Sequence, residues 1–280
     1  MARTSSDPYR PNKITIAEND AILLSINGVA MRTGFEKDHV PVHTVPSVVH
    51  DGAMPVNVPT SKCVSGKASI RVGKPLSEDA IIFWETDPRI ELISPYPVKL
   101  EWTRVRRDGT MVEISHAIEF AIQWKGGKRT YIDVEKLSHH GSSWLDLRTH
   151  DLKRQVPRQL GDQYAVVSEK VLYVAPLLYN RRHIYSHLHV IDDRAKARIR
   201  RVMRESQPPM RIAAMAEAAR LRAIGYRMLD PDGRPFTQAL PEINRAYSAI
   251  MQLAAAGELR VDQRVEITDQ SFVTWQERNS

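Results

Sequence analysis

The 280-residue sequence contains a single cysteine, Cys63. One thiol cannot form a disulfide within the chain, which excludes the small secreted proteins that disulfides hold together. A lone cysteine is also typical of a reducing compartment, so we expect a cytoplasmic protein. No run approaches the roughly 18 apolar residues of a membrane span, and the polar start MARTSSDPYRPNK does not resemble a signal peptide.

The sequence also lacks a glycine-rich loop that could cradle a nucleotide phosphate. Gly126-Gly127-Lys128 is the nearest segment, and it does not have the spacing of such a loop. An ATPase or a nucleotidyl enzyme is therefore not supported. The composition, with 42% hydrophobic and 26% charged residues, is that of a soluble globular protein with one large or two ordinary domains.

Acidic residues are outnumbered, since 40 Lys and Arg stand against 33 Asp and Glu, which gives a net charge of +7. The excess lies between Arg181 and Arg260, where fifteen Lys or Arg stand against eight Asp or Glu. This concentration favours a polyanionic partner, although a solvated basic face is the common alternative.

The segment from Leu76 to Lys136 carries the acidic residues of interest. Pro75 suits the first turn of a helix that holds Glu78, and Asp87-Pro88 ends that helix. Apolar and polar residues then alternate along a strand from Val98 to Thr103.

A second alternation runs from Val112 to Trp124 and predicts one strand with Glu119 on its polar face. Gly126-Gly127 predicts a tight hairpin, because glycine readily adopts positive φ. In the returning strand, Tyr131, Asp133 and Glu135 share one face, and Ile132, Val134 and Lys136 share the other.

Close carboxylates repel one another and raise one another's pKa, so such a cluster either lies in solvent or binds a hard cation. A divalent metal held in this way lowers the pKa of bound water and stabilises charge on a phosphate under attack. For a single acidic residue, an idle solvated side chain is the simpler interpretation. The order Glu, Glu and Asp-x-Glu on helix, strand, hairpin and strand favours a site.

This order resembles the PD-(D/E)xK nuclease superfamily and, within it, the TnsA-like endonucleases of Tn7-like transposons. The resemblance rests on Glu78, on the segment from Trp84 to Pro88, on His116-Ala117-Ile118-Glu119-Phe120 and on Asp133-Val134-Glu135. It extends through Val166-Val167-Ser168-Glu169 to Pro176 and Asn180. It implies an α/β fold with a restriction-endonuclease-like mixed-sheet core, followed by a winged-helix-like α-helical domain.

Carried over by residue, Glu78 matches the helix glutamate, Glu119 the family aspartate and Asp133 the family Glu or Gln. Glu135 stands where the family has its catalytic lysine, and Lys136 follows one residue too late. Lys136 should point away from Asp133 unless a bulge re-aims it. Some restriction enzymes of the superfamily use Glu at the lysine position.

The resemblance implies a Mg²⁺ ion, replaceable by Mn²⁺, held by Glu78, Glu119 and Asp133, with Glu135 completing the metal shell or positioning water. It implies that the chain nicks the 5′ ends of the element, while an RNase H-like transposase cuts the 3′ ends. It also implies an AAA+ transposition regulator as a partner. For double-stranded DNA we expect contacts from these basic residues: Lys125, Lys128, Arg129, Arg194, Arg198, Arg201 and Arg245.

Two histidine groups are weaker candidates for a metal. Ser138-His139-His140-Gly141 has no matching pair at ligand spacing, so we interpret it as a loop at the edge of the site. His183 and His187 lie four residues apart on a predicted helix beside Arg181-Arg182, and we interpret them as structural or DNA-facing.

Between these histidine groups, the sequence predicts a helix from Ser142 to Leu160, broken near Pro157 and ended by Gly161. Two strands should follow, from Tyr164 to Val167 and from Val171 to Val174.

The C-terminal third is predicted to form a winged helix. Its helices should run from Arg194 to Glu205, from Arg211 to Ala223 and from Pro241 to Gly257. Its wing should pair Leu259–Val261 with Val265–Ile267. A winged helix can place its last helix in the major groove, but Arg245 is the only cation of this helix, so either DNA or a protein partner suits the domain.

We therefore expect an N-terminal arm (1–74) with a short helix from Ile14 to Ile26, a nuclease domain (75–180) and a winged-helix-like domain (181–280). Two alternatives to the transposon endonuclease stay open. One is a degenerate nuclease fold that serves as a DNA-binding or assembly subunit. The other is a stand-alone restriction or repair nuclease.

Overall fold

The structure is a computed structural model that describes residues 24–25, 32–46, 54–106, 108–222, 225–229, 235–239 and 244–276. These residues form a mixed α/β fold with several sheets. The chain divides into two compact units, of which the first comprises Met1–Trp84 and Arg89–Leu172 and the second Glu85–Pro88 and Tyr173–Ser280. Within the described ranges, no helix is long and apolar enough to cross a membrane.

Strands predominate before Tyr173. In chain order the elements are β1 (Leu24–Ser25), β2 (Val56–Pro59), β3 (Ser69–Val72), α1 (Pro75–Glu85), β4 (Ile90–Pro95), β5 (Lys99–Val105), β6 (Met111–Ala117), β7 (Phe120–Trp124), β8 (Arg129–Val134), a 3-10 helix (Leu137–His139), α2 (Ser143–Leu160), β9 (Gln163–Val167) and α3 (Glu169–Leu172). The strands form three sheets, ordered β1-β5-β6, β2-β3 and β4-β7-β8-β9. Of these neighbours only β8 and β9 run parallel.

The start of α1 at Pro75 and its end before Asp87-Pro88 are confirmed. The alternation predicted for β5 is also confirmed, because Leu100 and Trp102 are fully buried while Lys99 and Glu101 are exposed. In contrast, Leu24–Ser25 pairs as a strand with β5 where a helix was predicted, and the rest of that predicted helix lies outside the described residues.

The prediction of one strand from Val112 to Trp124 is wrong. The chain leaves β6 after Ala117 and enters a different sheet at Phe120, so Ile118 and Glu119 form the junction between two sheets. The alternation of buried and exposed residues is lost beyond this junction, because β7 buries Phe120, Ala121 and Ile122 in succession and so has both faces covered. The junction is what turns the Glu119 side chain inward.

The returning strand is buried on both of its faces, which its alternation does not indicate. Strand β8 pairs with β7 on one edge and β9 on the other, and its last four residues, Tyr131–Val134, are all buried. Asp133 is therefore buried along with its apolar neighbours.

Helix α2 follows the prediction and ends at Gly161, which adopts a left-handed conformation with φ of 75°. Pro157 does not break it, because the helix continues through this residue to Leu160. Strand β9 is confirmed. The strand predicted at Val171–Val174 is wrong, since residues Glu169–Leu172 form the short helix α3.

Helices predominate in the second unit. Its elements are α4 (Leu177–Leu188), α5 (Asp193–Glu205), β10 (Met210–Arg211), α6 (Ile212–Ala219), β11 (Gly225–Leu229), β12 (Pro235–Ala239), α7 (Arg245–Ala255), β13 (Leu259–Val261) and β14 (Phe272–Trp275). Strands β10, β14 and β13 form an antiparallel sheet in that order, and β11 pairs with β12.

The inward face predicted for α5 is confirmed, because Ala195, Ile199, Val202 and Met203 are all buried in one core with α6 and α7. Helix α6 ends earlier than predicted, at Ala219, where Arg220 turns left-handed with φ of 49°.

The described part of the third helix begins at Arg245, and the predicted start at Pro241 lies outside the described residues. The second wing strand predicted at Val265–Ile267 is wrong, because these residues form a loop and β14 takes their place in the sheet.

Candidate functional site

Three carboxylates, Glu119, Asp133 and Glu135, form a group in the first unit that we call the carboxylate cluster. Glu119 stands at the junction between two sheets, where its carbonyl accepts a hydrogen bond from the Tyr96 N–H at 2.8 Å. Its Oε1 accepts from Ser77 Oγ at 2.5 Å, and its Oε2 accepts from the Val134 N–H at 3.3 Å. The side chain is thereby fixed inside the fold.

Lys74 provides the positive charge next to Glu119. Its Nζ lies 3.0 Å from Glu119 Oε2 and also donates to the main-chain oxygen of Val134 at 3.2 Å. Burial raises the pKa of Glu119, and the negative charge of Asp133 adds to this rise, whereas Lys74 and Ser77 oppose it. The site thus holds a carboxylate whose ionised form depends on one lysine.

Asp133 is almost completely buried, with 3% of its surface exposed. Oδ1 accepts from the Glu119 N–H at 3.0 Å, and Oδ2 accepts from Tyr164 Oη and contacts His116 Nε2, both at 2.7 Å. Burial alone would raise its pKa, but His116, Arg148 and the Tyr164 hydrogen bond hold the pKa well below its usual range. Asp133 is therefore a stable anion that binds its own neighbours.

Glu135 pairs with Arg148 on α2. Arg148 Nη2 lies 2.5 Å from Glu135 Oε1, and His139 Nδ1 lies 3.2 Å from Oε2. Burial acts to raise the pKa of Glu135, but Arg148 and Lys74 lower it below its ordinary value. The residue at the family's lysine position is thus an anion held between cations, and the histidine loop lies at the edge of the cluster.

Two of the predicted site residues are not joined to this group. Glu78 is half-buried on α1, and in the part of the chain that the structure describes no hydrogen bond or ion pair links its carboxylate to the cluster. Its neighbour Ser77 contacts Glu119 instead, because successive helical residues point about 100° apart. Lys136 is exposed and precedes the 3-10 helix, so no bulge turns it toward Asp133.

The resemblance implies a divalent metal here, and the residues do not fit one in this arrangement. Both oxygens of each carboxylate already contact protein donors, whereas Mg²⁺ and Ca²⁺ need such oxygens as ligands. Among the described residues, no group of three Asp, Glu, His or Cys is placed to hold a metal ion. The charge of the cluster is balanced by the protein itself.

The basic residues predicted to contact DNA separate into exposed and engaged ones. Lys125, Lys128, Arg194 and Arg201 are exposed, the first two at the turn between β7 and β8 and the last two on α5. Arg129 is half-buried and lies 5.2 Å from the centre of the Phe35 ring.

The other two arginines hold the second unit together. Arg198 donates to the main-chain oxygens of Ala218 and Ala219 at the end of α6. Arg245 makes a two-pronged ion pair with Asp192, with Nε 2.7 Å from Oδ2. Their contacts to DNA stay predictions.

His183 and His187 pack against other residues of the second unit, which agrees with the structural one of the two predicted roles. His183 Nε2 lies 2.8 Å from Tyr247 Oη, and His187 Nδ1 lies 2.9 Å from Ser248 Oγ on α7. Burial, together with the neighbouring His183, lowers the pKa of His187 to about 4.

A cavity of about 390 Å³ lies elsewhere in the first unit. Lys67, Arg71, His43 and Tyr96 line it, and none of its described lining residues is acidic. Tyr96 adopts φ of 44°, a left-handed conformation that is rare for a bulky side chain. The cavity is chemically suited to an anionic group.

Sequence reasoning missed Lys74, Ser77, His116, Arg148 and Tyr164. Arg148 could have been identified from the sequence. It falls between Leu145 and Leu152 on the apolar face of α2, and a cation at a buried position needs an acidic partner. The others come from distant segments that only the folded sheet brings together.

A comparison of the chain with protein-family models gives no match, and a search of curated proteins also finds none. Membership of the TnsA-like family therefore stays a prediction.

Proposed function

We propose that this chain is a DNA-binding and assembly subunit of a Tn7-like transposition system, built on a PD-(D/E)xK nuclease fold and a winged helix. One observation carries the proposal: each carboxylate of the cluster is paired with a basic side chain of the same chain. The pairs are Glu119 with Lys74, Asp133 with His116, and Glu135 with Arg148. Carboxylates neutralised in this way do not need a metal, which favours a nuclease fold retained without the metal chemistry.

The order of elements in the first unit supports the nuclease fold. Helix α1 precedes the acid-bearing strands, the junction before β7 carries Glu119, β8 carries Asp133, and Glu135 directly follows β8. Helix α2 then connects β8 to the parallel strand β9. This is the order of helix, acid-bearing strands and crossover helix that the resemblance implies.

The order of elements in the second unit supports the proposal of a winged helix. Three helices, α5, α6 and α7, pack around one core, and the three-stranded sheet takes one strand from between α5 and α6 and two from after α7. The hairpin β11–β12 is an addition between the second and third helices.

We infer that DNA contacts α5 rather than α7. Helix α7 buries eight of its residues, and Arg245 is held by Asp192, so little of this helix remains to read a groove. Arg194, Arg201 and Arg204 are exposed on α5. Exposed arginines without a reading helix favour phosphate contacts, which add affinity without sequence specificity. The cut sites would then be chosen by partners, namely the RNase H-like transposase and the AAA+ regulator.

The DNA proposal is tested by reversing charge on α5. The double variant Arg194→Glu, Arg201→Glu should bind a short duplex more weakly than wild type. It should also lower the slope of log K against log salt by about 2, since each lost phosphate contact removes about one unit. The matched control changes Lys153 and Arg154, which are exposed on α2, to Glu. Equal losses in the two double variants would show that only net charge matters and would refute the α5 surface.

A metal-dependent endonuclease is the second candidate, favoured by the convergence of Glu119, Asp133 and Glu135 within one unit. Plasmid carrying transposon ends should stay intact with wild-type protein, the partner transposase and Mg²⁺ or Mn²⁺, if the first proposal holds. Cleavage at the 5′ ends that is lost in Glu119→Gln and Asp133→Asn would establish the endonuclease instead. Cleavage gained only by Glu135→Lys would show a site disabled at one position.

A further inference from the structure

The cavity of about 390 Å³ in the first unit is lined by three segments of the chain. One is the hairpin β2–β3 with its connecting loop. The second runs from Val40 to Val45, and the Val42 N–H fastens it to the Tyr96 carbonyl at 3.0 Å. Pro95, the last residue of β4, and Tyr96 complete the lining. None of these residues belongs to the carboxylate cluster, so the cavity is a separate feature of the unit.

The charged side chains of this lining are basic. Strand β3 alternates, so that Ile70 and Val72 are buried while Arg71 is exposed on the open face. Asn57 lies directly opposite Arg71 on β2, and Lys67 is exposed in the connecting loop. Within the described ranges, no hydrogen bond or ion pair joins the Lys67 or Arg71 side chain to another residue. Both cations are therefore available to an anionic group such as a phosphate.

The floor of the cavity is apolar. Val45, Cys63 and Ile70 line it, and all three are buried. A volume of about 390 Å³ is that of a small-molecule site and exceeds what a bare phosphate ion fills. The cavity therefore suits a ligand that joins an anionic group to a larger, less polar part.

Two rings stand side by side in the lining. His43 and Tyr96 have ring centroids 4.8 Å apart, and His43 is exposed. Burial raises the pKa of Tyr96, so its hydroxyl stays neutral. The left-handed backbone of Tyr96, with φ of 44°, costs free energy, and such conformations cluster at ligand sites. Rings of this kind are the surfaces on which nucleobases stack, whatever the base.

We propose that this cavity binds a nucleoside monophosphate, either as a free nucleotide or as the 5′-phosphorylated end of a DNA strand. Lys67 and Arg71 hold the phosphate, and the base lies against His43 and the apolar floor, with the Asn57 amide as a polar partner. A glycine-rich loop is not required, because side chains rather than main-chain N–H groups hold the phosphate. The inference goes beyond the proposed function, whose DNA contacts lie on α5 in the second unit.

The experiment is isothermal titration calorimetry of the full chain with the four 5′-deoxynucleoside monophosphates, the matching nucleosides and inorganic phosphate. At least one monophosphate should bind once per chain, at least tenfold more tightly than its nucleoside or phosphate. The double variant Lys67→Ala, Arg71→Ala should bind it at least tenfold more weakly. The matched control, Lys153→Ala with Arg154→Ala, removes the same two charges from α2 and should bind as wild type does. All four side chains are exposed, so both variants should fold.

A second variant tests the base. His43→Ala should weaken binding of the monophosphate by about fivefold or more, because a stacking surface is lost. His43→Phe keeps a ring and should retain the affinity.

The source of the ligand is assigned by displacing the bound monophosphate with short duplexes that have an unpaired 5′ end. Displacement only by the 5′-phosphorylated duplex identifies a strand end as the ligand, and no displacement by either duplex identifies a free nucleotide. The inference is overturned if folded wild-type protein binds none of the monophosphates. It is also overturned if the two double variants lose equal affinity, or if inorganic phosphate binds as tightly as every monophosphate.

Discussion

Asp133 in the first unit and Asn180 in the second are buried polar side chains with three hydrogen-bonding partners each. Asp133 carries a charge, and Asn180 is neutral. Asp133 in the first unit accepts from a main-chain N–H and contacts His116 and Tyr164. Asn180 in the second unit donates to the oxygens of Gln263 and Val265 and accepts from the Ile267 N–H.

The comparison separates two uses of buried polarity. The neutral amide of Asn180 holds the loop of residues 263–267 in place through its hydrogen bonds, and it has no net charge that could act at longer range. The charged carboxylate of Asp133 also acts on its neighbours: burial raises the pKa of Tyr164, and the charge of Asp133 raises it further. A buried charge costs desolvation, so a buried ion pair adds little net stability, although removing one partner is strongly destabilising.

The largest expected effect follows from removing the carboxylate of Asp133. Asp133→Ala leaves His116, Tyr164 and the Glu119 N–H without their partner, and it should lower the free energy of unfolding by about 3–5 kcal/mol. Tryptophan fluorescence in a urea titration reports this, because Trp84, Trp102, Trp124 and Trp144 all lie in the first unit.

Asp133→Asn is the matched control for this loss. It keeps the shape and two acceptor sites at Oδ1 and should cost less than the alanine variant. A loss below about 0.5 kcal/mol in Asp133→Ala, the size of an ordinary surface change, would mean that the buried pairs are not formed.

Removing the neutral amide should have a smaller effect. Asn180→Ala leaves two carbonyl groups and one N–H unpaired, at an expected cost of about 1–3 kcal/mol. Hydrogen exchange should show faster exchange of the Ile267 N–H than in wild type. Gln276→Ala, an exposed amide in the same unit, should change neither quantity. Unchanged protection at Ile267 would contradict the role assigned to Asn180.

How far the sequence predicts the structure depends on whether a strand or helix has one polar face. Helix α5 and strand β5 each expose one side, so their inward residues were predicted correctly. Strands β7 and β8 bury successive residues on both faces, so alternation could not locate their ends or the junction at Glu119.

The acidic residues of the candidate site could be predicted from the sequence, but its basic residues could not. Short spacing along two strands brings Glu119 near Asp133, and local patterns contain that spacing. Lys74 and Arg148 reach the same cluster from a helix cap and from a later helix. Such contacts depend on the packing of distant segments, which local sequence patterns do not contain.

The smallest expected effect is a dependence of stability on pH that differs between the two units. His187 has a pKa lowered from 6.5 to about 4, so the unfolded chain takes up a proton that the folded second unit resists. The stability that its neutral form contributes is therefore complete above pH 6.5 and is lost as the pH falls toward about 4. Asp133, whose pKa is depressed, stays ionised throughout this window, and its contribution is lost only below its ordinary value of 3.8.

Hydrogen exchange in α7 should accordingly accelerate between pH 6.5 and pH 4.5, after correction for the intrinsic pH dependence of exchange. His187→Gln cannot take up this proton and can still bond Ser248 Oγ, so the acceleration should be reduced in this variant. Equal acceleration in wild type and His187→Gln would assign the pH dependence to another group. If the exchange rate of α7 does not change with pH in either protein, His187 is hydrated in solution. The proposed contrast, in which the second unit loses stability at acidic pH and the carboxylate cluster does not, would then be wrong.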